Sequence, residues 1–194
     1  MMRRLVIVLF MVSTVLLAPA RRGQTLNSRG WPASRTPYDR KYRKVETYLA
    51  STPRIDGRFS CPSFVIQRSR IEHYLEEARR FRFQEEGTLA TGKQQDHWQL
   101  PEETEKLRSG DCEDLAIWLY CRLIAEGFSN IRFTLGLAGA TKRAMHAWVT
   151  WYEKGKTYIL DPSRKQGIYS LDLTEATTYQ PYYSYYLDRK WHHQ

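Results

Sequence analysis

An α+β fold, with one buried central helix packed on an antiparallel sheet, is predicted by two observations. Residues 112–126 are apolar nearly all the way round a helix, a pattern that a helix shows when it is buried centrally. Residues 131–162 hold three strand-like runs, and Glu153-Lys154-Gly155-Lys156 joins the last two as a tight hairpin. The length of 194 residues suits one domain with a sizeable core.

The chain opens with "MMRRLVIVLFMVSTVLLAPARRGQ". Arg3 and Arg4 precede an apolar run from Leu5 to Leu17, and Ala18-Pro19-Ala20 supplies small residues for cleavage. This is the pattern of a secretory signal over residues 1–20. The run is shorter than the roughly 20 residues of a spanning helix, and if left uncleaved it would act as an anchor. Either way the domain is expected to be exported, to the periplasm or the cell surface.

The formal charge of +9 is unevenly placed. Residues 1–44 carry ten Lys/Arg against one acid, Asp39, whereas residues 45–194 carry twenty of each sign. The predicted domain, 45–194, is therefore electrically balanced. A nucleic-acid partner is not expected, since it would call for a basic face on the domain itself. Residues 21–44 read as a basic linker, solvated or drawn to an anionic membrane surface.

Residues 39–51 have the pattern of a short helix, and Pro53 to Pro62 that of a loop turning at Asp56-Gly57. Ile71, Tyr74, Leu75 and Ala78 share helical spacing within a helix predicted over 67–86. Residues 87–110 read as mostly irregular, with one helical turn after Pro101. The central helix runs from Cys112 to Glu126 and stops at Gly127. Strands follow at 131–139, 146–154 and 156–162, with Ala147, Val149 and Trp151 alternating against Trp148, Thr150 and Tyr152. Tyr179, Tyr182, Tyr183, Tyr185 and Tyr186 are expected to pack on the sheet, and His192-His193 to form a disordered tail.

Three side chains carry the chemistry. Cys112 begins the central helix, His146 begins a strand, and Asp161 ends the strand paired with it. The hairpin brings His146 and Asp161 near each other, and a helix packed on that sheet can bring Cys112 to the same end. A thiol nucleophile, an imidazole base and an orienting carboxylate would then converge. Cys112 and Cys121 are roughly 13 Å apart along one helix, too far for a disulfide, so any bridge would use Cys61.

The stretches "DHWQLPEET", "GDCEDLAIWLY", "LIAEG", "MHAWVTWY" and "YILDPS", across residues 96–163, resemble the bacterial transglutaminase-like cysteine proteinases. The resemblance implies a papain-like, transglutaminase-like core with Cys112 as nucleophile, His146 as base and Asp161 as orienter. It includes calcium-dependent periplasmic proteases that release biofilm adhesins, so it implies a protein substrate in the cell envelope. The same triad would serve amide transfer to an amine, and a non-catalytic binding domain of the same fold is the reading from a different class.

Asp111, Glu113 and Asp114 surround Cys112. With Asp111 as N-cap, the helix dipole would favour the Cys112 thiolate, and so would a charged His146, while the three carboxylates oppose it. Two readings stand: acids that complement the helix dipole, or an oxygen-ligand calcium site beside the nucleophile. The resemblance implies the second. The Cys112 backbone N–H is the expected oxyanion donor, with the Trp98 indole N–H as candidate for a second.

Overall fold

A computed structural model describes residues 30–54, 63–87, 96–164, 167–170 and 178–193. The predicted signal and the loop holding Cys61 lie outside them. The elements in chain order are β1 (Trp31–Pro32), α1 (Asp39–Ser51), α2 (Phe64–Ala78), β2 (Arg82–Phe83), α3 (Pro101–Leu107), β3 (Ser109–Gly110), α4 (Cys112–Ala125), β4 (Ile131–Ala138), β5 (Ala144–Glu153), β6 (Lys156–Leu160), β7 (Tyr169–Ser170), β8 (Tyr179–Tyr186) and β9 (Arg189–His192).

The fold is α+β, as predicted. Seven strands form one antiparallel sheet in the order β1-β9-β8-β4-β5-β6-β7, and β2 and β3 form a small parallel pair. Helix α4 lies against β4 and β5. Leu115, Ala116, Ile117, Trp118, Leu119 and Tyr120 are at most 1% exposed, as all-round apolarity requires. Gly127 ends this helix at φ +85°, a left-handed conformation open to glycine.

The domain begins earlier than residue 45. Trp31 and Pro32 pair with His192 and Trp191. Tyr42, Val45 and Leu49 form a buried stripe on α1, and Lys190 Nζ meets Asp39 Oδ2 at 2.8 Å. Residues 30–44 are thus built into the sheet and core rather than serving as a linker. Their basic residues obscured this, because only one face of α1 is apolar.

The helix predicted over 67–86 ends at Ala78. Beyond it, Arg82 N–H donates to Arg108 O and Gln84 N–H to Gly110 O, so pairing with β3 overrides helical propensity. The aromatic tail does more than pack on the sheet. It forms β8, paired with β4, and β9 beside it. His192 stacks on Tyr183, and His193 is buried with Nε2 on Ser184 Oγ at 2.8 Å, so this tail is ordered.

Candidate active site

Helix α4 starts with a reciprocal cap. The Asp111 side chain accepts from the Asp114 backbone, and Asp114 Oδ2 accepts the Asp111 N–H at 3.2 Å. Asp114 Oδ1 also accepts the Gln99 N–H at 2.8 Å, tying the segment before α3 to the start of α4. A side chain at position 110 would collide with Asp114, its Cβ falling 2.6 Å from that of Asp114, hence Gly110.

This cap sets Cys112 in the first helical turn. Its thiol donates to Glu113 Oε2 at 3.1 Å. Burial, and then the Glu113 and Asp111 charges, hold this thiol well above the usual cysteine range, while the Ala147 backbone N–H pulls the other way. The opposing carboxylates read from the sequence are thus joined by burial, which is the larger influence on this thiol. Burial and Asp111 push Glu113 up to about 8. Asp114 is pushed up to about 7 by burial and by the Asp111 and Glu86 charges, against its backbone donors. Burial raises Asp111 as well.

His146 and Asp161 come together as predicted. The β5–β6 register sets Val149 opposite Leu160, so Asp161 follows the strand end level with Trp148, one diagonal step from His146. His146 Nε2 meets Asp161 Oδ2 at 2.8 Å. Asp161 Oδ1 accepts the Ser163 backbone N–H at 3.0 Å and the Ser163 hydroxyl at 2.7 Å, and Oδ2 accepts the Tyr179 hydroxyl at 2.7 Å. Burial alone would raise this carboxyl, but donors and charge from His146, followed by Ser163 and Tyr179, hold it below the usual carboxylate range.

Alternation along β5 turns Ala147, Val149 and Trp151 toward α4 and sets His146 on the Trp148 side. Cys112 and His146 nevertheless meet as walls of one cleft. A cleft of about 530 Å³ is lined by both residues, with Trp98, Tyr38, Leu135 and Met145 as its apolar and aromatic wall. Glu85, Glu86, Asp96, Asp111 and Glu113 supply carboxylates to the same cleft. Trp98, the predicted second oxyanion donor, is 4% exposed and stacks on Tyr38 at 6.0 Å.

Sequence reasoning missed Tyr38, which lay in the supposed linker, and the Asp161 partners Ser163 and Tyr179. The Asp161-Pro162-Ser163 turn was a signal for Ser163, because an Asp side chain commonly accepts from the backbone two residues on. Nothing local marked Tyr179. Cys112 and Cys121 are both free thiols, and Cys121 is buried in the core.

The predicted metal residues divide into two sets. Asp114 is engaged with two backbone N–H groups. Asp111 Oδ1 is buried without a hydrogen-bond partner, and Glu113 faces the cleft, so these two offer the hard oxygen donors that calcium takes. Among the described residues, no group of three or more His, Cys, Asp or Glu side chains is arranged to hold a metal ion. The fit to calcium therefore rests on a pair of carboxylates.

The chain is similar to LapG of Legionella pneumophila in its calcium-bound form, with 24% identity and a TM-score of 0.54, over 78% of this chain and 75% of that one. The EGTA-treated form of LapG is similar at the same identity and TM-score, over 78% and 85%. This likeness shows a shared transglutaminase-like fold. No protein-family model and no curated protein matches the chain. Among the described residues, no helix is long and apolar enough to cross a membrane.

Proposed function

We propose that the chain is an exported cysteine peptidase that cleaves a protein of the cell envelope with Cys112, His146 and Asp161. The observation that carries this reading is one cleft lined by Cys112 and His146, with His146 Nε2 held on buried Asp161. Donation of Nε2–H to Asp161 leaves Nδ1 as the proton acceptor facing the chemistry. His146 takes the thiol proton, and the sulfur attacks the amide carbon. The oxyanion accepts from the Cys112 backbone N–H and the Trp98 indole N–H. The imidazolium returns its proton to the amide nitrogen as the C–N bond breaks, leaving a thioester. Water, deprotonated by His146, then attacks that thioester and releases the carboxylic acid and the free thiol.

Asp111 and Glu113 are the residues that would hold calcium. The ion would supply positive charge that offsets two carboxylates beside the sulfur. The likeness to a fold solved in calcium-bound form supports this reading. Exposed Arg40, Arg43 and Lys44 on α1 extend the basic segment and suit contact with an anionic membrane surface.

Iodoacetamide labelling at about pH 6 tests the peptidase reading, since an ordinary cysteine is protonated there. With calcium present, Cys112 should react faster than Cys121, and His146→Ala should slow it. Equal, slow labelling of Cys112 with and without His146 would reject catalysis. Product analysis then separates water from an amine as acceptor.

A further inference from the structure

We propose that Tyr179 is a positioning residue for the triad, holding the Asp161 carboxylate, and through it the His146 ring, by a hydrogen bond from β8, which β4 and β5 separate from β6. This rests on the reading of Cys112, His146 and Asp161 as catalytic. The Tyr179 hydroxyl donates to Asp161 Oδ2 at 2.7 Å, the same oxygen that accepts from His146 Nε2 at 2.8 Å. Ser163 fills the other oxygen with its backbone N–H and its hydroxyl. An ionised carboxylate has about four lone-pair sites, so these donors leave none open. The carboxylate cannot rotate about its Cβ–Cγ bond without breaking several of them at once.

The two sets of donors differ in origin. Ser163 stands two residues from Asp161 in one turn, so it moves with Asp161. Tyr179 belongs to β8, where it pairs with Ala138 of β4. It therefore references the carboxylate to the sheet that carries His146. Its ring is held in place too: it is 3% exposed and packs edge-on against Trp148 at 5.2 Å. Trp148 in turn stacks on His146 at 6.3 Å, and the Arg164 guanidinium lies 5.1 Å from the Tyr179 ring. A phenol buried this deeply needs a partner for its hydroxyl, and here the partner is the triad carboxylate. Phenylalanine would fill the same space and leave Oδ2 with His146 and, at 3.4 Å, the Nε of Arg164, a residue of the same turn as Asp161. An imidazole whose carboxylate swings loses its aim at the sulfur, and loss of orientation lowers turnover rather than substrate binding.

The test uses the full chain, with three readouts: Cys112 alkylation rate, kcat and KM on a cleaved envelope protein or peptide, and thermal stability. Tyr179→Phe should lower the alkylation rate and kcat roughly tenfold or more, the range of a lost hydrogen bond to a charged group, with KM little changed. In an Asp161→Ala background the same substitution should change the alkylation rate less than about twofold, since the group it aims is gone. Tyr185→Phe is the control. It removes a buried hydroxyl from the same strand, one bonded to Thr36, and should alter stability while leaving the alkylation rate alone. A Tyr179→Phe rate near the parent's, or an equal loss in both Asp161 backgrounds, would overturn the inference and leave the triad standing. An alkylation rate indifferent to His146→Ala would overturn the triad, and this inference with it.

Discussion

Replacing Glu113 with Gln should make Cys112 more reactive when calcium is removed. The thiol donates to Glu113 Oε2 at 3.1 Å, so ionising both groups places two negative charges in contact. Gln keeps the shape and removes one charge. At about 4 Å, two unit charges repel by about 1 kcal/mol in bulk water and about 4 kcal/mol at an effective dielectric near 20. The half-buried Cys112 lies between these limits. The lower one corresponds to about fivefold more thiolate at fixed pH, the upper one to several hundredfold. Because Glu113 is pushed up to about 8, its charge is fully developed only above that value. The assay is therefore the iodoacetamide rate in chelator, followed from about pH 6 to about pH 9.5. The gap between variant and parent should open as pH rises through about 8. With calcium added the order should reverse, since the variant has only a neutral amide oxygen in place of one of the two carboxylates that would hold the ion. An unchanged or slower rate for Glu113→Gln in chelator at high pH would refute the reasoning.

Calcium-free protein should lose stability as pH rises. Glu113 and Asp114 are held near 8 and near 7, above their ordinary 4.5 and 3.8, so their contribution is complete below the ordinary values and lost as pH climbs through the folded ones. Melting temperature should fall between about pH 4 and 8 and level off above that, and Glu113→Gln should flatten the slope. His193 works in the other direction. Burial lowers it to about 4 from 6.5, so stability present above 6.5 is lost as pH falls toward 4, and His193→Gln should blunt that acid loss in urea titrations. Gly136→Ala should destabilise by about 1–3 kcal/mol in the same titrations, because its Cβ would fall 2.1 Å from the Gln180 carbonyl oxygen, at the irregularity where β4 meets β8. Asp114→Asn should lose about 1 kcal/mol through the helix cap, with calcium affinity unchanged if its oxygens serve only the backbone.

The α+β class, the central helix and the β5–β6 hairpin are legible in the order of residues alone. Each is written in local periodicity: all-round apolarity from Leu115 to Ile124, alternation from Ala147 to Tyr152, and a turn at Lys154-Gly155. The pairing of His146 with Asp161 followed from the hairpin register, which a two-residue turn sets without help from the rest of the chain. Tertiary structure decided what depends on distant neighbours. Residues 30–44 look like linker until β9 gives Trp31 a partner and the core receives Tyr42. Residues 79–86 look helical until β3 takes their backbone groups. The state of Cys112 was legible only in part: the helix end and the adjacent acids are local in sequence, but the burial that most raises its thiol arises only when the chain is folded. Tyr179 reaches Asp161 across 18 residues of sequence because β8 inserts next to β4, and strand order comes from long-range packing that no local pattern encodes.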